Sequence, residues 1–81
     1  MPDSNDAARF GEKLRTLRKA NGYTMHQLKD ILGYKAQSYI SEIETGKTKP
    51  SIEFAIKIAR LFEVSLDDLL LDERELPSSD E

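Results

Sequence analysis

The chain has 81 residues, 12 Lys and Arg against 15 Asp and Glu, a net charge of −3, 38% hydrophobic residues and no cysteine. A chain this short buries only about 60% of the surface its unfolded form exposes, so it has room for one core and no second catalytic lobe. With no Cys and a single His, disulfide staples, zinc fingers and thiol chemistry are excluded, and stability has to come from packing or from packing plus self-association.

In chain order, Phe10, Leu14 and Leu17 recur at helical spacing among Arg9, Lys13, Arg15, Arg18 and Lys19, which predicts an amphipathic helix from about Asp6 to Asn21. Asn21-Gly22 ends it. Thr24 followed by Gln27 matches a capping box, and Met25, Leu28 and Leu32 carry a second helix of about two turns to Gly33. After the turn Gly33-Tyr34-Lys35, a third helix runs from about Gln37 to Thr45. Its apolar side is only Ile40 and Ile43, and its other faces show Gln37, Ser38, Ser41 and Glu42.

Gly46-Lys47-Thr48-Lys49-Pro50 stops the third helix and forms a basic loop, since Gly supplies a left-handed cap and Pro forbids continuation. Ser51 is an N-cap, and the stripe Ile52, Ala55, Ala59, Phe62 marks a fourth, central helix widened by Ile56, Ile58 and Leu61. Ser65 with Asp68 caps a fifth helix whose Leu66, Leu69 and Leu70 face inward, with Asp67 and Asp68 near its positive end. Beyond Leu71, DERELPSSDE is an acidic tail whose first part is able to extend the fifth helix through Leu76. The expected organisation is a flexible segment over residues 1–5, an all-α five-helix bundle over 6–71, and the acidic tail over 72–81.

The overall charge hides a split. Residues 9–49 carry nine Lys and Arg against four acids, and residues 50–81 carry three against nine, so the acidic balance describes the tail more than the body. The opening MPDSNDAARF has no positive region or apolar run of a secretory signal, and no apolar stretch approaches the ~20 residues of a membrane span, so a cytoplasmic location is expected.

Two helices joined by a Gly-containing turn inside a small helical bundle form a helix-turn-helix arrangement. The run from Leu14 to Leu70 closely resembles the lambdoid phage repressor and Cro-like family, the XRE-type helix-turn-helix regulators. The resemblance rests on L-R-x-x-R-x-x-x-G from Leu14 to Gly22, the Thr24 cap, Leu28 to Gly33, Tyr39-Ile40-Ser41-Glu42-Ile43-Glu44, the Gly46-Lys47 loop, Pro50-Ser51 and Val64-Ser65-Leu66.

That resemblance implies double-stranded DNA as partner, a homodimer on a palindromic operator, and the third helix in the major groove. It places Gln37, Ser38, Ser41 and Glu42 at base edges, with Lys35 in reach of a base or a phosphate. Gln suits adenine, Ser serves either role, and Glu accepts from the cytosine amino group. It places Thr24, His26, Tyr39, Thr45, Lys47, Thr48 and Lys49 at phosphates, which position without specifying. Arg18 and Glu44 match a salt bridge between the first and third helices. Leu61, Val64, Leu66, Leu71, Leu76 and Phe54 are the expected dimer surface. Met25 departs from the Gln that many relatives carry after the cap.

No enzymatic chemistry is expected, because no nucleophile–base pair, metal cluster or phosphate loop is present. No metal or cofactor is expected either: His26 has no second His or Cys to join it, and Asp67, Asp68, Asp72 and Glu73 lack the spacing of a calcium loop. Lys13 and Arg15 are expected on a solvated face, and Tyr23 in the core. The competing reading is an antitoxin- or adaptor-type interaction module whose acidic tail binds a protein partner.

Overall fold

The computed structural model describes residues 8–76, which form five helices and no strand. The expected flexible segment 1–5, the proposed start of the first helix at Asp6, and the last five residues of the tail lie outside the described residues.

The helices are α1 (Phe10–Ala20), α2 (Met25–Leu32), α3 (Gln37–Thr45), α4 (Ile52–Phe62) and α5 (Leu66–Leu70). Their starts follow from local chemistry. Thr24 Oγ1 accepts from the Gln27 amide while Gln27 Oε1 accepts from the Thr24 amide, closing the capping box of α2. Ser51 and Ser65 accept from the Phe54 and Asp68 amides and cap α4 and α5. The ends of α2 and α3 turn at Gly33 (φ 84°) and Gly46 (φ 83°), a left-handed conformation that side chains with a Cβ rarely adopt.

Each helix contributes to one core: Phe10 and Leu14, Leu28 and Leu32, Ile40 and Ile43, Phe54, Ala55 and Ile58, and Leu69. Phe54 lies at its centre, with Phe10, Tyr34 and Tyr39 rings at 6.1, 5.6 and 5.3 Å. It is fully buried within one chain, which removes it from the expected dimer surface. The buried face of α4 is thus rotated from the expected stripe: Phe54, Ala55 and Ile58 point in, and Ile52 is 70% exposed. On α5 only Leu69 is fully buried, with Leu66 at the surface. Tyr23 is half-buried against Phe62 rather than enclosed.

Lys13 overturns its expected place on a solvated face: it is 2% exposed, and Nζ donates to the carbonyls of Asp68, Leu71 and Arg74 at 2.5, 2.9 and 2.8 Å. An ammonium has three donors, and each finds an acceptor at the carbonyl end of α5 or in the turn beyond it. Burial, followed by the neighbouring Arg9 charge, holds this lysine below its ordinary pKa. Arg15 is exposed as expected.

The start of the acidic tail is likewise docked. Helix α5 ends at Leu70, and the next residues fold back onto the beginning of α1. Asp72 accepts from the Ala8 and Arg9 amides at 3.2 and 2.9 Å, and the Arg9 guanidinium donates to the Asp72 carbonyl and to both Glu75 oxygens. That hydrogen-bonded Arg9 holds the exposed Glu75 carboxyl below its usual pKa.

Lys13→Met keeps most of the packing and leaves three carbonyls without a donor. We expect it to destabilise the domain by about 1–3 kcal/mol. Hydrogen exchange at residues 69–76 should rise with it; unchanged protection there would show that other contacts hold the segment.

Candidate nucleic-acid interface

The third helix is attached to the bundle on one side and open on the other. With successive side chains about 100° apart, Ile40 and Ile43 mark the inward side, and Gln37, Ser41, Thr45, Ser38 and Glu42 fall in order along a continuous arc of roughly 140° opposite them. Gln37, Ser38 and Thr45 are exposed, and Ser41 and Glu42 are half-exposed. A single arc therefore gathers the four expected base-reading side chains of α3, and all of them carry donors or acceptors.

The turn that leads into α3 is fixed without closing this arc. The Tyr34 amide donates back to the Lys29 carbonyl at 2.9 Å, wrapping the chain around Gly33. Lys57 of α4 sits 4.7 Å from the Tyr34 ring centre and donates to the Leu32 carbonyl at 3.1 Å. Ala36 then begins α3 in an extended conformation with no side-chain cap; the Tyr39 amide donates to the Ala36 carbonyl, and the Gln37 and Ser38 amides keep their donors for a ligand. Lys35 is exposed beside them.

At the other end, the Glu42 carbonyl accepts from the Lys47 and Thr48 amides at 2.9 and 3.2 Å, and Glu42 Oε1 accepts from Thr48 Oγ1 at 3.1 Å. The loop is thereby folded against α3, with Lys47 and Lys49 exposed and Thr48 half-buried. Three cations thus bracket a helix about 13 Å long.

The remaining expected phosphate contacts are placed unevenly. Thr24 is exposed, and since its oxygen accepts from Gln27, its hydroxyl proton is free to donate. His26 is exposed on the first turn of α2, with Nε2 3.6 Å from Asp30. The Tyr39 ring is clamped by Tyr34 and Phe54, and Thr45 Oγ1 turns back to the Glu42 carbonyl at 3.3 Å. Met25, where many relatives carry Gln, packs against the core.

Behind the site, Arg18 Nε and Nη2 donate to the two Glu44 oxygens at 2.6 and 3.1 Å, and Arg18 Nη1 donates to the Tyr23 carbonyl at 3.0 Å. Both side chains are enclosed, at 9% and 2% exposure. This bidentate pair joins α1 to the last turn of α3 and sets the angle at which the open arc is presented.

The basic segment is less basic at its surface than in sequence. Of its nine cations, Arg18 and Lys13 are buried in internal bonds, Arg9 is taken by the tail, and Lys29 is paired with Asp30. Among the described residues Arg15, Lys19, Lys35, Lys47 and Lys49 have no acidic partner, and the last three flank α3. Two further residues position α3: Lys57, which bonds the Leu32 carbonyl before the turn, and Gly11 of α1, whose lack of a Cβ leaves room for the Ile43 and Glu44 carbonyls. Their partners lie far along the chain and leave no local periodicity. Two of the four clustered acids have internal partners: Asp72 binds the start of α1 and Asp68 binds Arg74 at 3.1 Å. No group of His, Cys, Asp and Glu able to hold a metal occurs among the described residues.

A two-helix unit with a glycine turn, the second helix open to solvent and pinned from behind, defines a helix-turn-helix domain. The chain belongs to the helix-turn-helix family, of the XRE type, whose family model matches residues 14–69. It is 36% identical over 67 residues to the HTH-type transcriptional regulator SinR of Bacillus subtilis, covering 82% of this chain and 60% of that protein. It is 36% identical over 61 residues to the SPbeta prophage-derived regulator YonR of the same organism, covering 75% and 56%. The uncharacterized HTH-type transcriptional regulator MJ0272 of Methanocaldococcus jannaschii is 38% identical over 61 residues, covering 75% of this chain and 91% of that protein.

The chain thus spans a little over half the length of SinR and YonR. Among solved structures, the N-terminal DNA-binding domain of SinR superposes with a TM-score of 0.69 at 31% identity, covering 90% of this chain and 97% of that one. The restriction-modification controller protein C.AhdI of Aeromonas hydrophila superposes at 0.68 with 28% identity, covering 79% and 96%. No helix among the described residues is long and apolar enough to cross a membrane.

Proposed function

We propose that this chain is a cytoplasmic, sequence-specific double-stranded DNA-binding regulator of transcription, acting as a homodimer on a palindromic operator. The observation that carries the reading is the open arc of α3, lined by Gln37, Ser38, Ser41 and Glu42, flanked by Lys35, Lys47 and Lys49 and held from behind by Arg18 and Glu44. In this reading α3 enters the major groove, Gln37 and Ser38 meet base edges first, and the lysines and Thr24 locate the domain on phosphates.

Homodimerisation is supported by the apolar corner of α4, α5 and the tail. Leu61, Val64, Leu71 and Leu76 are half-buried and Leu66 is 36% exposed. A second copy there would place two α3 helices on half-sites about one helical turn apart. The reading of the acidic tail as a protein-binding arm is disfavoured by its own contacts, since Arg9 already occupies Asp72 and Glu75.

The test is binding to a duplex across a salt series. Log affinity should fall steeply and linearly with log salt, by about 0.9 for each phosphate neutralised, and Lys47→Ala should reduce that slope by about 1. A folded protein with no duplex affinity even at low salt would remove the proposal and return the protein-interaction reading.

A further inference from the structure

We propose that Thr48 is a positioning residue for base readout: it holds the Glu42 carboxylate at the edge of the α3 arc and does not itself contact a phosphate. The inference rests on the DNA-binding reading above, and it reverses the role that the sequence resemblance implies for this residue.

Thr48 has two donors, and Glu42 takes both. The Thr48 amide donates to the Glu42 carbonyl at 3.2 Å, and the Thr48 hydroxyl donates to Glu42 Oε1 at 3.1 Å. A hydroxyl carries a single proton, and a phosphate oxygen offers only acceptors to a protein. Thr48 is therefore unable to hold Glu42 and donate to the DNA backbone at the same time. Its half-buried position behind exposed Lys47 and Lys49 fits the inward role.

Glu42 needs such a partner more than its neighbours on the arc do. It is the one acid among the four α3 residues expected at base edges, so every phosphate repels it and only a base donor such as the cytosine amino group offsets that repulsion. An unheld glutamate samples several rotamers and swings from the base to water. With Oε1 fixed, the second oxygen stays in one place and keeps its lone pairs for the base. The contact is built across the left-handed Gly46, six residues along the chain, which brings the loop back onto the last turn of α3.

The experiment compares wild type, Glu42→Gln, Thr48→Val and Thr48→Ser. Each is measured for affinity on the duplex selected by the wild type from a random library and on all its single-base-pair variants, with a thermal melt beside each. Thr48→Val keeps the shape and removes the donor; Thr48→Ser keeps the donor. The expected result is that Thr48→Val loses about fivefold or more of the discrimination at the base pair that Glu42→Gln alters, and at no other. Thr48→Ser should retain it, and Thr48→Val should add nothing in a Glu42→Ala background, which leaves no acceptor for the hydroxyl to hold.

Equal weakening of Thr48→Val on every duplex would make Thr48 a phosphate contact and overturn the proposal. A lowered melting temperature with unchanged base preference would reduce the pair to a structural clip and also overturn it. If the wild type itself selects no sequence, the DNA-binding reading falls and takes this role with it; if the wild type selects and Thr48→Val selects identically, this role alone falls.

Discussion

Replacing Gly11 with alanine will destabilise the domain by about 1–3 kcal/mol or more, although alanine is the better helix former by about 1 kcal/mol. Gly11 lies in the first turn of α1, where the helix passes directly over the last turn of α3. A Cβ built there meets the Ile43 carbonyl oxygen and lies 2.6 Å from the Glu44 carbonyl oxygen. Both obstacles are backbone, so no side chain can swing aside; the two helices have to separate. That separation also strains the Arg18–Glu44 pair, which joins the same two helices. Urea unfolding of wild type and Gly11→Ala checks this, and a variant as stable as wild type would show that α1 does not approach α3 so closely.

Arg18→Ala will cost about 3–5 kcal/mol, because it leaves the Glu44 carboxylate, 2% exposed, without its counter-charge. In a domain of this size each kcal/mol moves the melting temperature by about 4–8 °C, so a drop of more than about 12 °C is expected. The pair is not required as a pair: Arg18→Met combined with Glu44→Leu should recover most of the loss, since packed apolar side chains replace a buried ion pair at little or no net cost. Comparable melts for wild type and Arg18→Ala would contradict the account, and so would a double variant no better than the single.

Sequence-based reading succeeded where local chemistry decides the outcome. The capping residues Thr24, Ser51 and Ser65 and the glycines at positions 33 and 46 act locally, so α2, α4 and α5 start, and α2 and α3 end, where the sequence places them. The spacing of Ile40 and Ile43 is enough to orient α3, so its polar arc is legible from the sequence without any tertiary contact. Periodicity failed on α4, where the sequence is apolar on too many sides to reveal which one is buried. Phe54 wins because its ring fills the space between Phe10, Tyr34 and Tyr39, and Ile52 is left outside.

Non-local polar contacts were the least legible. Lys13 has the sequence environment of a surface lysine, yet its acceptors lie 55 to 61 residues away. The same holds for Arg9 and its bonds to Asp72 and Glu75, which dock the first residues of the expected tail onto α1. Gly11 carried one readable sign, an isolated glycine inside an otherwise good helix, a position that usually marks close packing. The charge split likewise overstated the basic face, because four of nine cations are consumed by internal partners. On the proposed DNA-binding reading, the cations left beside α3 are Lys35, Lys47 and Lys49, so sequence preference would come from the arc itself.

The central claim is that this arc reads bases. It is tested most directly by selecting bound duplexes from a random library with the purified protein at moderate salt, then repeating the selection with Gln37→Ala. The account predicts an enriched inverted repeat for the wild type, with half-sites about one helical turn apart, and the same repeat relaxed at one symmetric position for the variant. A folded wild type that enriches no sequence, or a Gln37→Ala variant that enriches an unchanged one, would contradict it.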